Sequence, residues 1–177
     1  ALDDFNNALS INPKMSDVYY NRGLMKQSLA DDHGAINDFT KYIELNPSDA
    51  FAYYYRGYSK NKINSTSGAI QDFSEAIRLN PHFIEAYRDR VNAKLKNKSY
   101  QGAYEDFNYV LSIDDANVDA YFGRANALVE MDSLTAAVKD YDKCIELNPN
   151  HKEAYCNRGI AKYTMLLEDE ACADFQQ

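Results

Sequence analysis

Between residues 69 and 77, Ala69, Phe73, Ala76 and Ile77 stand at i, i+4, i+7 and i+8, the spacing that lines one face of an α-helix. Upstream, Ala52, Tyr53, Gly57 and Lys60 fall at i, i+1, i+5 and i+8, a second helical stripe. The segment between them, Asn64-Ser65-Thr66-Ser67-Gly68, is turn chemistry. Asn80-Pro81 closes the second stripe, because proline disfavours helical geometry in the residue before it. The pattern predicts an antiparallel helical hairpin, helix A followed by helix B.

Shifted by 34 residues, the same pattern fits again. Tyr19, Tyr53, Tyr87, Tyr121 and Tyr155 form one column, and Arg22, Arg56, Arg90, Arg124 and Arg158 another. Ala35, Ala69, Ala103, Ala137 and Ala171 keep the interval, as do Asp4, Asp38, Asp72, Asp106, Asp140 and Asp174. A period of this length marks a stacked repeat array, in which no unit buries its apolar face alone. One array is therefore predicted over 1–177, with full units at 16–49, 50–83, 84–117 and 118–151. Residues 1–15 read as the second helix of a partial repeat, and 152–177 as an incomplete one. Asp31, Ser65, Ser99 and Ser133 align as N-caps of helix B. Asn-Pro pairs at 12–13, 46–47, 80–81 and 148–149 end that helix, with Asp114-Asp115 in the third unit.

The combination of an aromatic early in helix A, a small residue four places later, and Ala, Phe or Tyr, Ala and Pro in helix B resembles the tetratricopeptide repeat. The resemblance covers the whole chain. It implies an all-α, right-handed superhelical α-solenoid of antiparallel helix pairs. Departures are local: Val91 takes the small site that holds Gly23, Gly57, Ala125 and Gly159, and Tyr42, Val110 and Cys144 replace the core alanine of helix B. Gly23, Gly57 and Gly159 are expected to let helix A approach helix B, with Phe39, Phe73 or Phe107 filling the facing space.

Family members often carry Leu where the arginine column stands. A half-buried guanidinium needs a carboxylate, and the aspartate column recurs as faithfully. A ladder of Arg–Asp bridges is expected, either within a unit (Arg56 with Asp72) or one unit back (Arg56 with Asp38). An arginine row for anionic ligands is the alternative.

Composition narrows the function. A formal charge of −8 and a pI near 4.8, with no basic cluster, argue against nucleic acid as a partner. No apolar run is long enough to span a membrane, so no membrane insertion is expected. Cys144, Cys156 and Cys172 are an odd count without metal spacing, and are expected to stay thiols. Free thiols favour a cytoplasmic setting, but the chain reads as starting in mid-repeat, so the absence of a leader decides nothing. His33, His82 and His151 fall at turns without metal-ligand spacing, no glycine pattern forms a phosphate loop, and no Ser or Cys has a recognisable base. No catalysis, cofactor or metal is expected.

In the family resembled, the A helices line a concave groove that holds an extended peptide or a partner helix. Carried over slot by slot, Tyr20, Phe51, Tyr54, Tyr55, Tyr58 and Phe122 would form an aromatic floor, with Arg88, Asn92 and Asn126 as hydrogen-bonding positions. Tyrosine and phenylalanine are rigid anchors of the kind enriched at binding hot spots. The family's carboxylate clamp is missing: the slot after each column tyrosine holds Tyr20, Tyr54, Arg88, Phe122 or Cys156. Asp17, Glu85, Asp119 and Glu153 also sit where an acid offsets the dipole of helix A. The expectation is a non-catalytic scaffold or adaptor that binds a protein or peptide. Self-assembly into a homo-oligomer through open repeat ends, or service as the regulatory domain of a larger enzyme, are the alternatives.

Overall fold

A computed structural model describes residues 2–177. Among the described residues are eleven helices and no strand. They are α1 (Leu2–Ile11), α2 (Ser16–Ser28), α3 (Asp32–Leu45), α4 (Ala50–Lys62), α5 (Thr66–Leu79), α6 (Ile84–Lys96), α7 (Tyr100–Ile113), α8 (Val118–Glu130), α9 (Leu134–Leu147), α10 (Lys152–Thr164) and α11 (Glu168–Asp174). They pack as two compact units, Ala1–Asn97 and Lys98–Gln177, the division falling between α6 and α7. Within each unit a helix packs against the one before and the one after it. Alternate helices also touch: α2 with α4, α4 with α6, and α8 with α10.

The alanine column from Ala35 to Ala171 has no exposed surface at all, because only a methyl group fits where helix B crosses its neighbours. Phe39 and Phe73 are likewise wholly enclosed. A Cβ on Gly23 would stand 3.0 Å from the Phe39 ring, one on Gly57 3.0 Å from Phe73, and one on Gly159 2.6 Å from Phe175. The glycines thus admit the helix B rings. Phe107 differs from expectation: it presses on Gly123 of α8, where a Cβ would lie 2.3 Å from its Cζ.

The arginine column resolves into a repeated bracket. Arg56 donates from Nε (2.9 Å) and Nη2 (2.7 Å) to the two carboxylate oxygens of Asp72, sixteen residues ahead in its own hairpin. Arg22 holds Asp38, Arg124 holds Asp140 and Arg158 holds Asp174 in the same way. The carboxylate is therefore the one within the unit. The guanidinium also reaches one hairpin back, through Nη1, to a different column two places past the aspartate: Asn6, Thr40, Ser74, Asn108 and Asp142 receive from Arg22, Arg56, Arg90, Arg124 and Arg158. Each guanidinium lies over the column tyrosine three residues before it, 5.3–5.6 Å from the ring centre. One side chain so ties three helices and stacks on its own.

Sequence reading missed a second cation on the aspartates. Lys26 reaches Asp38 at 2.8 Å, Lys60 reaches Asp72 at 2.7 Å and Lys162 reaches Asp174 at 3.1 Å. The fourth hairpin has Leu128 at that position, buried in the core with Ala125, Ala137, Tyr141 and Cys144. Such pairs fix register more surely than they add net stability, since desolvation offsets much of the attraction, but removing one partner strands the others.

The hairpin turn carries another unannounced column. Ala30, Asn64, Lys98, Asp132 and Leu166 adopt φ of 57–64°, left-handed backbone reached here without glycine. Around Ala30, the amides of Ala30 and Asp31 bond the carbonyls of Gln27 and Lys26, the Schellman closure of a helix. Asp31 then begins the next helix, its carboxylate accepting from the Gly34 amide at 2.9 Å. Ser65, Ser99 and Ser133 occupy the same position but make no capping side-chain bond. Their backbone is close to that of Asp31, whose ψ is 69°, so the difference lies in the side chain: a hydroxyl is one bond shorter than a carboxylate.

Candidate partner-binding surface

Inside the first unit the A-helix faces meet through side chains. Gln27 on α2 donates to the Tyr55 carbonyl and to Ser59 Oγ on α4, both at 2.8 Å. Tyr54 on α4 donates to Asp89 on α6 at 2.9 Å. Beside this seam lies an open cleft of about 470 Å³ lined by Phe51, Tyr54, Tyr55, Asn80, His82, Phe83 and Glu85. Its rings are braced against each other: Phe51 and Tyr54 contact Phe83 at 4.9 and 4.8 Å between centroids, and Tyr54 meets Tyr55 at 5.4 Å.

Of the residues expected at a binding surface, the structure brings Phe51, Tyr54 and Tyr55 together here. Phe51 is half exposed, while Tyr54 and Tyr55 are partly buried. Tyr58 is exposed, but it lies outside the cleft lining and stacks under Lys62, 5.2 Å away. Tyr20 packs on Phe39, Tyr42 and Tyr55, as part of the wall between the first two hairpins. Arg88 and Asn92 are exposed on α6, Arg88 lying 3.7 Å from Asp89. In the second unit Phe122 packs on Tyr141 and His151. Asn126 differs from expectation: its Oδ1 already accepts from Tyr141 at 2.6 Å and from Asn157 at 3.0 Å, so that oxygen holds α8 to α9 and α10.

The Tyr20 and Tyr54 phenols are held in their protonated form. Burial, with Tyr55 and Asp49 nearby, pushes Tyr20 up to about 12. Burial and then the bond to Asp89 push Tyr54 further still. Burial also raises the Cys144 thiol to about 11, which suits a core residue, whereas Cys156 and Cys172 are exposed.

Asn80, His82 and Phe83 were not foreseen in this surface. They come from the turn before α6, outside the helix A slots. A signal was present: the column Met15, Asp49, Phe83, Asn117, His151 precedes each A helix, and Met15 and Phe83 are its apolar members. Polar side chains there cap the helix: Asp49 accepts from Phe51, Asn117 from Ala120 and His151 from Ala154. Phe83 cannot, and packs sideways on Phe51 and Tyr54.

Among the described residues no helix is long and apolar enough to cross a membrane, and no group of three His, Cys, Asp or Glu is placed to hold a metal.

Family descriptions of the tetratricopeptide repeat match residues 16–49 and 118–151. No curated protein matches the chain significantly. Among solved structures, a crystal structure of MamA protein is 24% identical, covers 91% of this chain and 88% of its own, and superposes with a TM-score of 0.84. MamA residues 41-end from Desulfovibrio magneticus RS-1 are 17% identical, cover 91% of each chain, and superpose at 0.80. YrrB, described as a TPR protein with an unusual peptide-binding site, is 20% identical, covers 98% of this chain and 90% of its own, and superposes at 0.83. Residues 16–49 and 118–151 are thus tetratricopeptide repeats, one in each half, and the chain shares the fold of these solved structures.

Proposed function

We propose that this chain is a non-catalytic interaction scaffold that holds a segment of a partner protein against the A-helix face of its first unit, centred on the Phe51–Tyr54–Tyr55 cleft. The observation that carries this is the half-exposed Phe51 ring beside braced aromatic neighbours. Phe51 has no packing duty that recurs in the other units, where its slot holds Asp17, Glu85, Asp119 and Glu153. A rigid, partly desolvated aromatic patch is the usual anchor of a protein contact. YrrB, of the same fold, binds peptide by its description, which supports the reading.

The test is selection of peptides from a random displayed library on the immobilised chain, followed by calorimetry. Selected peptides should bind the wild type and lose at least tenfold in affinity to Phe51→Asp, which borrows the residue of the fourth unit and should leave melting unchanged. Equal binding by both proteins would contradict the site.

A second reading, self-association, draws on Ile160, Tyr163, Leu166 and Phe175, all exposed on α10, α11 and the turns beside them. Sedimentation mass rising with concentration, and abolished by Tyr163→Glu, would support it. A constant monomer mass would exclude it.

A further inference from the structure

We propose that the cleft receives a cationic side chain, arginine or lysine, from the bound segment, with the aromatic rings as its walls and Glu85 as its counter-charge. The inference rests on the binding surface proposed above and specifies what that surface selects.

Three features converge. Phe51, Tyr54, Tyr55 and Phe83 surround one open space, and a ring face attracts a cation within about 6 Å of its centroid. Glu85 lines the same space, is exposed, and makes no hydrogen bond or ion pair among the described residues. Every aspartate of the bracket column that accepts in hairpins one, two, four and five is already matched by arginine, so Glu85 stands apart as an unmatched acid beside aromatic rings. The chain's net charge of −8 adds a background attraction for a basic partner.

Neighbouring groups do not cancel this. Arg88, one turn along α6, lies outside the lining and sits by Asp89. Asp89 itself takes the Tyr54 hydroxyl, which fixes that ring in place. Among the lining side chains, Glu85 is the one carboxylate. An anionic ligand would meet that charge. A neutral apolar side chain would be accepted by the rings but would leave Glu85 facing it without compensation.

Blocked pentapeptides with arginine, citrulline or phenylalanine at the centre of four alanines separate these cases. Each would be titrated into the ¹⁵N-labelled chain while amide and aromatic shifts of Phe51, Tyr54, Phe83 and Glu85 are followed. The arginine peptide should shift these signals at least fivefold more tightly than the citrulline peptide, and Glu85→Gln should remove most of that difference. Salt should weaken the arginine peptide selectively. Citrulline or phenylalanine peptides binding the cleft as tightly as arginine would overturn the cationic preference while leaving the groove reading intact. Shifts confined to other parts of the chain, or none with any peptide, would overturn both.

Discussion

The turn into α6 and the turn into α10 occupy equivalent places in the repeat, yet they present different surfaces. In the first unit Phe51, Tyr54, Tyr55 and Phe83 surround an open cleft. In the second, the same slots hold Asp119, Phe122, Gly123 and His151. His151 caps α10 and lies 3.3 Å from Glu153, the counterpart of Glu85, while Gly123 gives way to the Phe107 ring. Columns that pack one hairpin on another at every step are thus held, and slots outside those columns change from hairpin to hairpin. The bracket of Arg, Asp and Lys belongs to the first class, and the cleft to the second.

The largest effect should come from the bracket. Asp72→Ala leaves Arg56 and Lys60 facing each other half-buried, and should cost about 3 kcal/mol. Asp140→Ala strands Arg124 without a second cation, because Leu128 replaces the lysine, and should cost less. Thermal unfolding of the two variants measures the difference; a larger loss at Asp140 would break the comparison. Overpacking comes next. Gly57→Leu pushes into Phe73, and Gly123→Ala into Phe107, each at about 1–3 kcal/mol. Either variant melting with the wild type would refute the close approach.

Acid sharpens the picture at α11. Burial works against ionisation of Asp174, but the bonds from Arg158 and Lys162 outweigh it and hold the carboxyl below its ordinary 3.8. A lowered folded-state value means that its contribution is complete above that pH and is lost as pH falls through the lower value. Wild-type helicity should therefore decline below about pH 4, and Asp174→Asn should flatten this part of the acid profile, read by circular dichroism.

The smallest effect lies in the left-handed turn residues. Leu166→Gly relieves a φ of 64° and should gain about 0.5 kcal/mol, whereas Asn64→Gly should gain less, because asparagine tolerates that region.

Much of this was legible in the sequence for a definite reason. A stacked array demands the same small and large residues at every interface, so the columns of Ala35, Phe39 and Gly23 announce helix, hairpin and period together. The partner of Arg56 was not legible, because aspartates lie at comparable separations ahead and behind, and only packing selects Asp72. Lys60 stands on the helix A stripe, and Lys26, Lys94 and Lys162 repeat it at the 34-residue interval, but only packing shows that it meets Asp72. The left-handed turn was invisible because Ala30 and Leu166 carry no signal for it. At the proposed cleft, Phe51, Tyr54 and Tyr55 stand in the slots carried over from the family resembled, but Asn80, His82 and Phe83 enter from a turn that helical periodicity does not describe. The structural duty of Asn126 was hidden in the same way, because its partners Tyr141 and Asn157 come from other helices.

The central claim is that recognition belongs to the first unit's cleft and not to its counterpart. A photoreactive benzophenone residue placed at position 51, and separately at position 119, tests this directly with a peptide selected on the wild-type chain. A peptide adduct should form from position 51 and none from position 119. Adducts from 119 alone, or equally from both, would contradict it.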